Sequence, residues 1–158
     1  MGKITDVPPM DYERPTPVVP LFEGVYRISM VPGQDGREWK LCTPLAYRSR
    51  GGVRYRVDSG FTTDGASIPR LFWRLIGPPF AARYAPAALI HDALYATGYG
   101  DRQAADRLFR EMMAVLDVKP WRRLLMYAAV RAGGWLPWSR RTDESVKHAL
   151  RFLEVTHV

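Results

Sequence analysis

The chain has 158 residues, 47% of them hydrophobic and 12% aromatic, which is enough for one packed core and argues against disorder. Twenty-three Lys and Arg against 16 Asp and Glu give a formal charge of +7, a bias towards an anionic partner such as lipid headgroups, nucleic acid or an acidic protein. The single cysteine, Cys42, excludes an intrachain disulfide and a cysteine-ligated zinc centre, so packing must hold the fold.

The opening "MGKITDVPPMDYERP" has no apolar run after its early Lys, and no later stretch approaches the roughly eighteen uninterrupted apolar residues of a membrane span. Neither a signal peptide nor a transmembrane segment is expected, and synthesis in the cytoplasm follows. Residues 7–20, "VPPMDYERPTPVVP", are proline-rich and read as part of an extended arm over 1–20, ahead of one domain over 21–158.

"VYRISMVPGQDGREWKLCTPLAYRS" gives two strand-like runs around the turn signal Pro32-Gly33-Gln34-Asp35-Gly36. Gly51-Gly52 then turns the chain into "VRYRVDS", where Val53, Tyr55 and Val57 alternate with Arg54 and Arg56, the period of a sheet with one wet face. Beyond Pro69 the period becomes helical. Ala87, His91, Leu94 and Tyr95 share one face of a helix with Pro86 in its first turn and a stop near Gly98 or Gly100.

Asp101 is placed to cap a second helix whose apolar stripe is Ala105, Leu108, Phe109, Met112, Met113 and Leu116, broken by Asp117–Pro120. A third helix runs through "WRRLLMYAAVRA" to Gly133-Gly134, and a fourth through "DESVKHALRFLEV" with Thr142 as its cap. Strands first and helices second predict an α+β domain: a small N-terminal antiparallel sheet, then a helical region containing a two-helix hairpin.

The hairpin carries the chemistry. His91 and Asp106 both fall about two turns or less from the glycine connection, so they can face each other across it. A carboxylate beside an imidazole fixes its tautomer and stabilises the cation formed when the other nitrogen takes a proton, the minimum apparatus for activating water. Tyr95, four residues after His91, shares its face and can donate to Asp106; Asp92 points about 100° away and can hold a cation. A satisfied core histidine with a carboxylate partner would show the same pattern, and both readings stay open.

His91-Asp92-Ala93-Leu94-Tyr95 followed by Ala105-Asp106-Arg107-Leu108-Phe109 resembles the helical core of phospholipase A2 enzymes, particularly the compact bacterial and viral forms. That resemblance implies His91 as the base that activates water against the sn-2 ester, Asp106 as its orienting acid, Tyr95 as support for Asp106, and Asp92 as a Ca2+ ligand. The family's glycine-rich calcium loop, Y-G-x-x-x-G, does not precede His91.

A longer stretch, "SGFTTDGASIPRLFWRLIGPPFAARYAPAALIHDALY", resembles a phage- and prophage-encoded group, domain-of-unknown-function family 1353, through G-F-x-T-D-x-A-S-x-P-R followed by H-D-x-L-Y. It implies a product made in a host cytoplasm, with virion association and other phage proteins as partners among the options. In the "TTDGASIPR" loop, Asp64 offers a second metal ligand, and Gly65, Ser67 and Arg70 offer oxyanion or loop support; the same residues can instead satisfy local N–H groups and pin sheet to helices.

Residues 119–141, "KPWRRLLMYAAVRAGGWLPWSRR", contain no acid. Trp121, Arg122, Arg123, Trp135, Trp138, Arg140 and Arg141 suit an anionic lipid surface, where indoles sit at headgroup level, although a core helix with a solvated basic edge has the same composition. Nucleic acid ranks below lipid because no helix-turn-helix, zinc-finger or RNA-binding signature accompanies the run. The expected activity is a phospholipase A2-like hydrolase acting on envelope phospholipid, with a non-catalytic tail or assembly protein of the virion as the alternative.

Overall fold

A computed structural model describes residues 19–31, 38–64 and 83–158. The arm's residues 1–18 and the turn over 32–36 lie outside the described residues.

The first half forms strands that build two antiparallel sheets. Strands β1 (Leu21–Glu23), β4 (Leu45–Arg48) and β5 (Val53–Val57) lie side by side in one of them. Strands β2 (Ile28–Met30), β3 (Trp39–Leu41) and β6 (Thr62–Thr63) make the other, in the order β2-β3-β6. Along "VRYRV" the predicted alternation is muted: only Val57 is buried and the other four are half-buried, with Arg54 paired to Glu23 and Arg56 to Asp58 and Glu154. Leu41, Leu45, Tyr47 and Phe61 turn inward to meet the helices.

Helix α1 (Ala85–Thr97) buries every residue except Ala96. A helix apolar on all sides belongs in the centre of a domain, and its five alanines let neighbours approach closely. Fully burying Leu89, Ile90 and Leu94 contributes about 1.5–3 kcal/mol each. It ends where Gly98 adopts φ +65°, the left-handed region, and donates its N–H to the Leu94 carbonyl.

Helix α2 (Arg102–Val115) returns beside it and buries Ala105, Asp106, Leu108, Phe109, Met112 and Met113. Asp101 is its N-cap, accepting from the Ala104 N–H at 2.7 Å, so Asp101→Ala is expected to cost about 1 kcal/mol, measurable in urea unfolding. Helix α3 (Pro120–Gly133) packs on α2 and is followed by the short α4 (Trp135–Ser139).

The C-terminus departs from expectation. Thr142 caps α5 with a full capping box, but the helix spans only Asp143–Ala149, and Leu153–His157 forms β7 instead of continuing it. The β-branched pair Val155-Thr156 suits a strand, and pairing with β5 from Val57↔Leu153 to Val53↔His157 occupies backbone groups that an edge strand would leave open. The first sheet therefore has the order β1-β4-β5-β7, and the α+β division holds with one strand returning from the far end.

Candidate active site

A central helix with no wet face must satisfy its own polar side chains within the protein. On α1 the face of His91 and Tyr95 looks towards α2, where Asp106 interrupts the apolar stripe. The His91 Nε2 lies 2.9 Å from Asp106 Oδ1, and the Tyr95 hydroxyl donates to the same oxygen at 2.6 Å. On the other oxygen, Oδ2, Arg131 of α3 donates at 2.9 Å, with an Arg102 Nη1 at 3.6 Å. Three helices thus meet on one carboxylate. The His91 ring is stacked on Phe109 at 4.6 Å and tilted against Tyr95 at 4.3 Å.

Burial alone would push the Asp106 carboxyl up; the hydrogen bonds from His91, Tyr95 and Arg131 outweigh it and hold the group below its ordinary value. An ionised carboxylate only accepts, so the His91 Nε2 is the donor in this contact. Burial, and then Asp106, push the Tyr95 hydroxyl far up, so it stays a donor. Chemically the cluster can hold an imidazole in a fixed orientation, with Nε2 turned to the acid. Both His91 and Asp106 are 0% exposed in this conformation.

The family model described as "Protein of unknown function (DUF1353)" matches residues 39–130, more than half of the chain and inclusive of His91, Tyr95 and Asp106. The chain belongs to this family. Similar curated proteins are the uncharacterized proteins y4jT and y4iH of Sinorhizobium fredii (strain NBRC 101917 / NGR234). The first is 33% identical over 96 residues, 61% of this chain and 29% of that protein. The second is 32% identical over 118 residues, 71% of this chain and 47% of that protein. The chain therefore spans less than half the length of these relatives. No solved structure matches it.

In this DUF1353 chain, Asp92 is 6% exposed and accepts from the Thr63 hydroxyl at 2.7 Å, which ties α1 to β6; Asp64, the next residue after that strand, is exposed. Among the described residues no group of three or more His, Cys, Asp or Glu side chains is arranged to hold a metal ion. Asp64 and Asp92 are two carboxylates, against the roughly six to eight oxygens that Ca2+ takes. Gly65, Ser67 and Arg70 lie outside the described residues.

The aromatic and basic residues of 119–141 divide. Trp121, Leu124 and Trp135 are more than half exposed, and with exposed Ala128 and Ala132 they form a stripe along the outer face of α3 and the start of α4. Arg122 lies over Trp121 at 5.2 Å, and Arg140 is exposed nearby in sequence. Trp138 and Arg141 instead turn in to the end of α1: Trp138 meets Tyr95 edge-on at 5.2 Å, and Arg141 covers Trp138 at 4.0 Å and donates to the Tyr95 carbonyl at 3.3 Å. Arg123 faces α2. No described helix is long and apolar enough to cross a membrane.

Three residues of the cluster escape the sequence reading. Arg131 hides in the basic run, though it serves Asp106. Arg102, four residues before Asp106, has the i,i+4 spacing that could have marked it as an ion-pair partner; it also donates to the Val130 and Arg131 carbonyls at 3.2 and 3.0 Å, binding the last turn of α3. Gly134 reads as a helix stop, but a Cβ there would collide with the Tyr95 hydroxyl and the Val130 carbonyl. Gly134→Ala is expected to displace Tyr95 from Asp106 and cost about 1–3 kcal/mol, with less coupling to Asp106 in a double-mutant cycle than the wild-type background shows.

Proposed function

We propose that this chain is a phospholipid ester hydrolase of the kind its helical core resembles, in which His91 is the general base and Asp106 its orienting acid. The observation that carries the proposal is the 2.9 Å contact between His91 Nε2 and Asp106 Oδ1, with the Tyr95 hydroxyl on that same oxygen. Water attacks the ester carbonyl as its proton passes to the His91 imidazole. The imidazolium so formed faces the ionised Asp106; collapse of the tetrahedral intermediate breaks the acyl C–O bond, and the glycerol oxygen takes the proton from the imidazolium as it leaves. Arg131 and Tyr95 share the carboxylate's charge, so Asp106 fixes the ring's orientation and tautomer more than it raises the ring's basicity.

Since the ring is wholly buried as described, substrate entry must uncover it. The exposed Trp121–Leu124–Trp135 stripe with Arg122 and Arg140 is the surface we assign to an anionic bilayer. A phage or prophage origin rests on the resemblance of the Gly60–Arg70 and His91–Tyr95 signatures.

The buried ring and the crowding of donors on Asp106 favour a second function, a non-catalytic assembly or tail protein of a virion, in which the cluster only locks three helices together. Release of fatty acid from vesicles containing phosphatidylglycerol separates the two. The hydrolase produces turnover that is lost in His91→Gln, and a folded wild-type chain with no turnover leaves the assembly role.

A further inference from the structure

Some of the described arginines are held by a carboxylate and others are not. Arg54 and Arg56 on β5, and Arg102 and Arg131 around Asp106, each have a carboxylate partner. Arg50, Arg107, Arg110 and Arg123 are in no ion pair among the described residues. These four nevertheless converge on one cavity of about 350 Å³ between the β4–β5 turn, the outer face of α2 and the start of α3, lined also by Glu111, Ala114 and Pro120.

Gathering four cations opposes folding by self-repulsion unless something of opposite charge relieves it. The single carboxylate present is already committed: Glu111 Oε1 accepts from the Tyr47 hydroxyl at 2.8 Å and from the Arg50 backbone N–H at 2.9 Å. Other features hold the charges in place. Arg110 rests on the Tyr127 ring at 5.5 Å, and Arg107 and Arg110 stand one turn apart on α2. The 14-residue α3 begins at this cavity with no acid in its first turn and no side-chain cap, so its positive end adds to the field.

We infer that this cavity binds a phosphate group carrying two or more negative charges, as a phosphomonoester or diphosphate, through the guanidinium groups of Arg50, Arg107, Arg110 and Arg123. Guanidinium forks match phosphate oxygens in pairs, and four of them exceed what a monoanion neutralises. None of the lining residues belongs to the His91–Asp106 cluster, so the site stands whether or not that cluster is catalytic. A soluble metabolite and the headgroup of a lipid such as phosphatidic acid both present this chemistry.

Calorimetric titration of the full chain with inorganic pyrophosphate, and flotation with phosphatidic acid in phosphatidylcholine vesicles, test the site and tell the two sources apart. Pyrophosphate is expected to bind saturably, one per chain, and more weakly as salt rises. Arg107→Ala and Arg123→Ala should each weaken it about tenfold or more, and Lys147→Ala on α5 should leave it unchanged. Glu111→Gln keeps an acceptor for Tyr47 and Arg50 but removes the opposing charge, so it should tighten binding severalfold, a change that loss of fold cannot mimic. Vesicle binding lost in the same arginine variants, without pyrophosphate binding, assigns the site to a lipid headgroup. Binding of neither probe, or equal binding by wild type and all three site variants, overturns the inference.

Discussion

Replacing Asp106 with alanine is expected to lower the free energy of unfolding by about 3–5 kcal/mol, the largest stability loss of any single polar substitution among the described residues. The side chain has no exposed surface and accepts from His91, Tyr95 and Arg131. Its removal strands the His91 N–H and the Tyr95 hydroxyl in an apolar interior, each at a cost of about 1–3 kcal/mol. Arg131, whose side chain is 32% exposed, recovers part of its hydration, which keeps the total near the lower end. Asp106→Asn retains an acceptor and should cost less. The measurement is the midpoint of urea unfolding at unchanged slope.

The same carboxylate sets an acid limb. Burial raises its pKa, but the hydrogen bonds from His91, Tyr95 and Arg131 lower it further, so the folded value lies below the ordinary 3.8. A group depressed in the folded state contributes stability that is fully present above its unfolded pKa and is lost as pH falls through the folded one. Its contribution should therefore be flat from neutrality to about pH 4 and decline below. In Asp106→Asn that part of the decline should vanish; an unchanged acid limb would show that Asp106 is not held ionised.

Much of the hairpin was legible because it is local. Asp101 and Thr142 cap their helices as their side-chain chemistry requires, and the 3.6-residue period of α1 and α2 fixes which face each presents, so His91, Tyr95 and Asp106 could be set opposite one another from spacing alone. What spacing cannot give is a partner supplied by a third element. Arg131 reaches Asp106 from 25 positions away because α3 packs against α2, and Arg50 joins Arg107, Arg110 and Arg123 only because β4 turns beside α2.

The remaining departures have equally physical origins. The predicted helix takes in Leu153–Val155 because a short run of mixed residues fits both periods, and the open edge of β5 draws Leu153–His157 into a strand instead. Trp138 and Arg141 looked like surface residues by composition, but Gly98 leaves no side chain in the way, and Arg141 lies in that space beside Trp138.

His91→Gln is expected to reduce fatty-acid release by about 10²–10⁴-fold while leaving the chain folded. Glutamine places an amide N–H where Nε2 stood, so Asp106 keeps a donor, and its volume fills most of the space between Phe109 and Tyr95. It has no second nitrogen to take a proton. Truncation to alanine would mix this chemical loss with a cavity and a stranded carboxylate, both of which lower stability whatever the cluster does. Circular dichroism and the unfolding midpoint of His91→Gln report the fold, and the vesicle assay reports the base. Equal turnover by His91→Gln and wild type would remove His91 from the chemistry, because any ester hydrolysis seen would then proceed without the nitrogen that the 2.9 Å contact with Asp106 holds in place.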